Sequence, residues 1–197
     1  MLGRGRIFIL AGPSGVGKNT ILERLLAEMH GLVQIPTVTT RPRRSGEKEG
    51  KHHFFVSDKE FDSLIESGAL LEWKVIHDKR YGTLLETIEE KVLSTGNHTL
   101  DIDILGALTL KDKYPNNVTV IFIYPPSVEI LEERIRNRGP ISDEELTLRL
   151  SRVSKELALA RKCDYVIVND DLEEAIGRVK SIIAKEYTVD KGLGIAG

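Results

Sequence analysis

An α/β fold with a parallel core sheet and an inserted lobe of short mixed strands is predicted by three observations. A glycine-rich loop carrying a lysine, Gly12-Pro13-Ser14-Gly15-Val16-Gly17-Lys18-Asn19-Thr20, directly follows an apolar run, Ile7 to Ala11, that reads as a buried strand. Strand-like runs recur at Thr99 to Ile104, Val118 to Tyr124 and Tyr165 to Val168, separated by helical patterns. Such alternation favours a parallel sheet covered on both faces. Between Ile35 and Tyr81 the texture changes to short strands around one helix, which reads as the inserted lobe.

The loop is a phosphate cradle by its chemistry. Glycines let the backbone turn its N–H groups inward, Lys18 can reach outer phosphates, and a helix starting near Asn19 aims its positive end at them. The expected ligand is a nucleoside triphosphate. The pattern GxxxxGK[ST] wants a hydroxyl for magnesium where this chain has Asn19, and Thr20 follows. Asn19 can offer a carbonyl oxygen instead, or leave water as ligand. The plain alternative is an ordinary glycine-rich turn between strand and helix.

The remaining elements follow in order. Thr20 to Met29 spaces Ile21, Leu22, Leu25 and Leu26 as one helical face. In the lobe, Thr37 to Thr40 and His52 to Val56 read as strands. A capping box, Ser57 with Glu60, starts a helix that Gly68 stops, and Leu70 to Ile76 forms another strand. Pro125-Pro126 ends a core strand and Ser127 caps the next helix; Ser142 with Glu145 predicts a second capping box. Thr188 to Gly197, with three glycines, reads as a frayed tail.

Composition bounds the function. A chain of 197 residues with 41% apolar content can bury one substantial core. A net charge of −2 drawn from a dense mixture of both signs argues against a general nucleic-acid surface, so any anion site is local. The single Cys163 excludes an internal disulfide and reads as core filler. No apolar run approaches the roughly 20 residues that span a bilayer, and Met1 to Gly5 lacks a secretory apolar stretch. A cytoplasmic protein with no membrane or nucleic-acid partner is expected, as a monomer or homodimer.

Four groups of residues can carry chemistry. Arg41, Arg43 and Arg44 concentrate guanidinium forks beside turn residues, which suits a second phosphate; a solvated basic turn is the bland alternative. Glu72 lies among Leu70, Leu71 and Trp73, where an ionised carboxylate is costly unless a donor pair meets it. Guanine offers such a pair, its ring N–H beside its exocyclic amine, whereas adenine does not. An exposed strand glutamate is the alternative. Asp101 and Asp103, two apart on an expected core strand, share a face and call for a partner: magnesium held through water or the donor edge of a base, with a purely structural ion pair as the alternative. Arg134, Arg138, Arg149 and Arg152 come from two successive helices, with Arg134 and Arg138 on one face, and can close over a triphosphate. Some of these arginines must simply pair with Glu132, Glu133, Glu144 and Glu145. His52 and His53 are adjacent on a strand, point to opposite faces and cannot chelate one metal.

With these residues assembled, the chain resembles a guanylate kinase from Arg6 to about Ala184. The similarity runs in order through GPSGVGKNT, TTRPRRSGEKEG, LLEW, RYGT, LDID, RIRNRG and VIVNDDL. The resemblance implies a P-loop NTPase three-layer fold with a parallel core sheet, an inserted mixed-β monophosphate-binding lobe and a helical lid. It implies core segments 1–34, 85–126 and 163–187, the lobe at 35–84, the lid and following helix at 127–162, and the tail at 188–197. It also implies phosphorylation of GMP by ATP with Mg2+. Carried over by position, the loop Gly12 to Thr20 holds ATP with Lys18 on its phosphates. Arg41, Arg44, His53 and Tyr81 meet the GMP phosphate; Thr37, Glu72, Thr83 and Asp103 meet guanine. Thr20 and Asp101 organise magnesium and its water. Lys18, Arg44, Arg134 and Arg149 serve the transferred group, Arg138 contacts adenine or phosphate, and Asn169 meets adenine.

Four positions depart from the expected pattern. Asn19 replaces a loop serine, although some nucleoside monophosphate kinases resemble this arrangement, and Thr37 and Thr83 stand where serines are commoner. His53 stands where a tyrosine usually donates to the GMP phosphate; an imidazole can still donate, and a charge near neutral pH would favour a dianion. Two other readings compete. A non-catalytic guanylate kinase-like binding module is disfavoured by the intact loop. A sugar-phosphate kinase is disfavoured by Glu72, since a sugar phosphate presents no paired donor edge.

Overall fold

The computed structural model describes residues 5–76, 78–137, 139 and 141–192, with side chains as far as 186. In chain order its elements are β1 (Gly5–Ala11), α1 (Lys18–Glu28), β2 (Leu32–Gln34), β3 (Thr37–Thr39), β4 (His53–Phe55), α2 (Asp58–Glu66), β5 (Leu70–Ile76) and β6 (Lys79–Leu84). There follow α3 (Leu85–Leu93), β7 (Gly96–Leu100), α4 (Ile104–Lys113), β8 (Val118–Tyr124), α5 (Val128–Arg136), α6 (Asp143–Leu159), β9 (Tyr165–Val168) and α7 (Leu172–Gly192).

Strands that are apolar on both faces must be covered twice, and this governs the core. In β1, Ile7, Ile9 and Ala11 point one way and Phe8 and Leu10 the other, all buried; β8 repeats the division with Val118, Val120 and Phe122 against Ile121 and Ile123. The Phe8 side packs on Ile21, Leu22 and Leu25 of α1 and on Ile176, Val179 and Ile183 of α7. The Ile7 side packs on Ile88 and Val92 of α3 and on Ile104, Ala107 and Leu110 of α4. The result is a five-stranded sheet in the order β2-β7-β1-β8-β9, every neighbouring pair parallel, between two helical layers. The loops leaving β1, β7, β8 and β9 all emerge at one end of this sheet, the end where open α/β sheets bind ligands.

Residues 37–84 build a second, four-stranded sheet in the order β4-β3-β6-β5, with β3 and β4 parallel and the other pairs antiparallel. Its register determines a shared face. Thr37 lies opposite His53, Thr39 opposite both Phe55 and Tyr81, Lys74 opposite Tyr81, and Glu72 opposite Thr83. Cross-strand partners project to the same side and successive residues alternate. Thr37, His53, Tyr81, Thr83 and Glu72 therefore share one face. The other face is closed by α2, whose fully buried Phe61 meets Trp73 edge-on at 6.3 Å and lies under the Arg80 guanidinium at 4.8 Å.

Four expectations need adjustment. The strand expected over Thr99 to Ile104 runs instead over Gly96–Leu100, because Asp103 caps α4, its Oδ1 accepting from the Gly106 N–H at 2.8 Å. Asp101 and Asp103 thus sit on the turn beyond the strand. Ser142 does cap α6, accepting from the Glu145 N–H, but without the reciprocal bond that Glu60 returns to Ser57 at the start of α2. The tail expected from Thr188 is helical as far as Gly192, with 193–197 outside the described residues.

Candidate active site

The loop after β1 folds as its glycines require. Gly12, Gly15 and Gly17 have φ of 133°, 91° and 99°, a region L side chains rarely enter. Space is also short: a Cβ on Gly12 would lie 2.4 Å from the Ile123 carbonyl oxygen, and one on Gly17 would lie 2.5 Å from Asn169 Nδ2. Gly17 is the N-cap of α1, so the helix begins at Lys18 with no side-chain cap and no acidic residue in its first turn. Its leading N–H groups and its positive end are left for an anion. Lys18 Nζ reaches back over the loop to donate to the Gly12 carbonyl and, at 3.0 Å, to the Pro13 carbonyl. Ser14, Asn19 and Thr20 are exposed, while Pro13 and Val16 are buried beneath the loop.

Asn169, just past β9, is 4% exposed and fastens three parts of the site. Its Nδ2 donates to the Val16 carbonyl at 2.7 Å, its backbone N–H donates to the Tyr124 carbonyl at 2.8 Å, and its own carbonyl accepts from Arg134 Nη1 at 3.3 Å. Together with Gly15, Gly17, Thr20 and Asp170, Asn169 and Arg134 line a cleft of about 210 Å³ beside the loop. Asn169, expected to meet adenine, thus lines that cleft with its amide nitrogen turned into the loop.

The shared face of the second sheet holds the other group. Glu72 is half-buried, and burial pushes its carboxyl above the usual carboxylate range, partly offset by the Thr83 hydroxyl, which donates to Glu72 Oε1 at 2.7 Å. The second carboxylate oxygen has no hydrogen-bond donor among the described residues, which is the condition expected of a group awaiting a paired donor edge. Asp103 lies close by, its Oδ2 3.7 Å from Lys74 Nζ. Asp103 already accepts from Gly106 as a helix cap, so its expected role toward guanine shares that carboxylate with α4.

Of the groups expected at the acceptor phosphate, Arg41, Tyr81 and His53 come together. His53 and Tyr81 meet edge-on at 6.1 Å, and Arg41 stacks over Phe55 at 5.6 Å. The Arg41 guanidinium is not open as expected: Glu47 grips it at 2.7 and 2.9 Å, and that grip holds the Glu47 carboxyl down to about 2. Arg44 is exposed, and its guanidinium meets no carboxylate among the described residues. The expected charge on His53 near neutral pH is corrected. Burial and then the Arg41 guanidinium push its pKa below the ordinary histidine value, so the ring is neutral at pH 7. Thr37, expected at guanine, has its hydroxyl 2.8 Å from His53 Nδ1.

Helices α5 and α6 bring the arginines only part of the way. Arg134 is at the cleft, but Arg149 is engaged within α6 by Glu145 at 2.6 Å, and Arg136 pairs with Glu132 at 3.1 Å. Arg138 lies outside the described residues. Three residues were not read from the sequence. Lys74 lies two positions beyond Glu72, a spacing that could have revealed it. Glu47 holds Arg41. Glu156 of α6 is half-buried, its carboxyl pushed up by burial within electrostatic reach of Lys18, Asp103 and Lys74. No sequence signal marks Glu156 within its charge-rich helix. Half-buried Cys163 has its thiol pushed up to about 11 by burial, which suits an inert side chain.

A glycine cradle between a parallel strand and a helix, at the carboxyl end of a five-stranded sheet, defines a P-loop nucleotide-binding protein. The guanylate kinase family profile matches residues 4–186. The chain is 40% identical over 189 residues to the guanylate kinase of Caldanaerobacter subterraneus subsp. tengcongensis, covering 95% of this chain and 91% of that one. It is 39% identical over 183 residues to the guanylate kinase of Thermotoga maritima, covering 93% and 88%. The crystal structure of guanylate kinase from Anaplasma phagocytophilum superposes with a TM-score of 0.68 at 34% identity, over 94% of this chain and 87% of that one. The chain belongs to the guanylate kinase family, the ATP-dependent kinases of a nucleoside monophosphate.

Proposed function

We propose that this chain transfers the terminal phosphoryl group of ATP to GMP, and that the observation carrying the base assignment is Glu72, half-buried with one oxygen accepting from Thr83 and the other without a donor among the described residues. The guanine ring N–H and exocyclic amine are the paired donors that such a carboxylate lacks. Thr83 holds the carboxylate in place, and Asp103 lies near enough to take part in the same recognition. Arg41, Arg44, His53 and Tyr81 serve the GMP phosphate, and Thr37, expected at guanine, stands beside His53 on the same face. Loop amides from Gly12 to Thr20 and the Lys18 ammonium take the ATP phosphates, and the cleft beside Asn169 and Arg134 takes the adenosine end.

In the reaction an oxygen of the GMP phosphate attacks the γ-phosphorus, the bond to the β,γ-bridging oxygen breaks, and ADP leaves. Charge spreads over the transferred group, so the task of Lys18, Arg44, Arg134 and Arg149 is neutralisation and alignment. For Arg149 this means exchanging Glu145 for phosphate, and for Arg41 exchanging Glu47.

Magnesium fits the donor set in one particular way. No group of three or more His, Cys, Asp or Glu among the described residues could hold a metal ion, so a cage made of protein alone is absent there. The Thr20 hydroxyl and the Asp101 carboxylate are exposed hard oxygen donors, which suits an ion held mainly by nucleotide phosphates and water. Bound there, magnesium would neutralise the β- and γ-phosphate oxygens.

No helix among the described residues is long and apolar enough to cross a membrane, and a cytoplasmic enzyme acting on free nucleotides is the reading we adopt. The test is Glu72→Gln, which replaces one acceptor oxygen by a donor facing guanine's donors. Loss of a charge-assisted pair should lower kcat/KM for GMP by roughly 10²-fold while ATP binding stays unchanged. Equal losses toward both nucleotides would remove the guanine assignment.

A further inference from the structure

Thr37 and His53 are direct partners in the parallel pairing of β3 with β4, so their side chains stand side by side on the face that receives the acceptor. The Thr37 hydroxyl lies 2.8 Å from His53 Nδ1, and Thr37 is only 8% exposed. No other hydrogen bond to this hydroxyl occurs among the described residues, and none to His53 Nε2. A hydroxyl is one donor and two acceptors, while a neutral imidazole carries one N–H and one lone pair. Counting donors separates the two arrangements. If Nδ1 carried the proton, it would donate to Thr37, the buried hydroxyl hydrogen would have no acceptor, and Nε2 would present a lone pair. If Thr37 donates to Nδ1, the buried hydrogen is satisfied and Nε2 carries an N–H.

We propose that Thr37 is a positioning residue that acts through His53: its hydroxyl donates to Nδ1 and fixes the neutral ring as the Nε2–H tautomer, so that His53 offers the acceptor phosphate a hydrogen-bond donor and not a lone pair. This rests on the reading of that face as the GMP site. A lone pair set against a phosphate dianion would repel it, whereas a neutral N–H attracts it without needing a positive charge. The charged and titratable groups within electrostatic reach of the ring are Arg41, Glu47, His52 and Asp101, with Tyr81 and Phe55 edge-on. Arg41, which disfavours protonation of the ring, is itself paired with Glu47, which acts in the opposite sense. The donor is then present throughout the range in which the ring is neutral, and GMP affinity is flat from pH 7 to 8.5.

The test uses the whole protein. Long-range ¹H–¹⁵N correlation of the histidine rings at pH 7.5 without nucleotide, with His53 assigned by its loss in His53→Asn, reads the tautomer directly. Wild type and Thr37→Ser should show Nε2–H, and Thr37→Val, which keeps the branched shape but loses the hydroxyl, should show a mixture. In steady state Thr37→Val should raise KM for GMP by about 3- to 10-fold, the loss of one hydrogen bond, with KM for ATP unchanged and Thr37→Ser recovering the GMP value. An Nδ1–H ring in the wild type overturns the proposal even if no variant folds. So does an Nε2–H ring that is unmoved in Thr37→Val, or an unmoved KM for GMP. Absence of GMP turnover by the wild type would instead overturn the acceptor reading, while the ligand-free spectrum still decides the role of Thr37.

Discussion

Gly17 illustrates how a single position serves both structure and chemistry. Its φ of 99° places it in the left-handed region, it ends the loop as the N-cap of α1, and it passes close to the Asn169 amide. Gly17→Ala therefore meets two obstacles: backbone strain of about 1–3 kcal/mol, and a Cβ 2.5 Å from Nδ2. The expected outcome is a fall in Tm of roughly 2–12 °C and a loss of about 10²-fold in kcat/KM for ATP as the loop amides shift. Combining it with Asn169→Ala removes the collision and leaves the strain. Because Asn169→Ala also gives up the bond to the Val16 carbonyl, thermal melts of the three variants should show a loss in the double variant smaller than the sum of the two single losses. A Gly17→Ala protein with wild-type Tm and kcat/KM would contradict this account of the loop.

At the scale of elements, legibility followed from how local each signal is. Val118–Tyr124, Tyr165–Val168 and Leu70–Ile76 were readable to the residue because apolar runs bounded by turns or prolines mark their own ends. The strand ending at Leu100 was misplaced because its sequence, Gly96-Asn97-His98-Thr99-Leu100, is largely polar. It is a strand because β1 and β2 enclose it. Beyond it, Asp103 reads equally well as a strand residue or a helix cap until α4 is known to start at Ile104. The phosphate loop was legible for the same reason of locality. The acceptor face was legible only residue by residue: Glu72 and Tyr81 could be singled out, but cross-strand register, which sets Glu72 beside Thr83 and Thr37 beside His53, is a non-local property. The partners already occupying Arg41 and Arg149, Glu47 and Glu145, were equally out of reach, since a charge run does not say which of its members pair.

For the whole molecule, buried histidines set the response to acid. Burial pushes both His53 and His98 below the usual value, and His98, 7% exposed, has both ring nitrogens buried without a hydrogen-bond partner among the described residues. In the unfolded chain each histidine takes up its proton near 6.5, while the folded rings stay neutral to lower pH. Unfolded chains thus bind more protons in that window, and stability rises with pH through it. The contribution is complete above about 6.5 and is lost as pH falls toward the folded pKa values. Glu72 and Glu156, pushed up by burial, act in the opposite sense, gaining stability as they protonate. Thermal melts should therefore show Tm declining from pH 7.5 to 5.5, with a shallower decline in His98→Leu. A decline of equal slope in that variant would remove His98 from the account.

One face of the second sheet is proposed to read the guanine edge through Glu72, whose carboxylate is held by Thr83 at one oxygen and has no donor among the described residues at the other. The most direct test is kcat/KM with ATP and magnesium for GMP, IMP, AMP, CMP and UMP in parallel. IMP keeps the ring N–H and lacks the exocyclic amine, so it offers Glu72 one donor where guanine offers two. GMP should exceed IMP by about 10- to 100-fold, with AMP, CMP and UMP lower still. IMP or AMP turned over as well as GMP would contradict the claim.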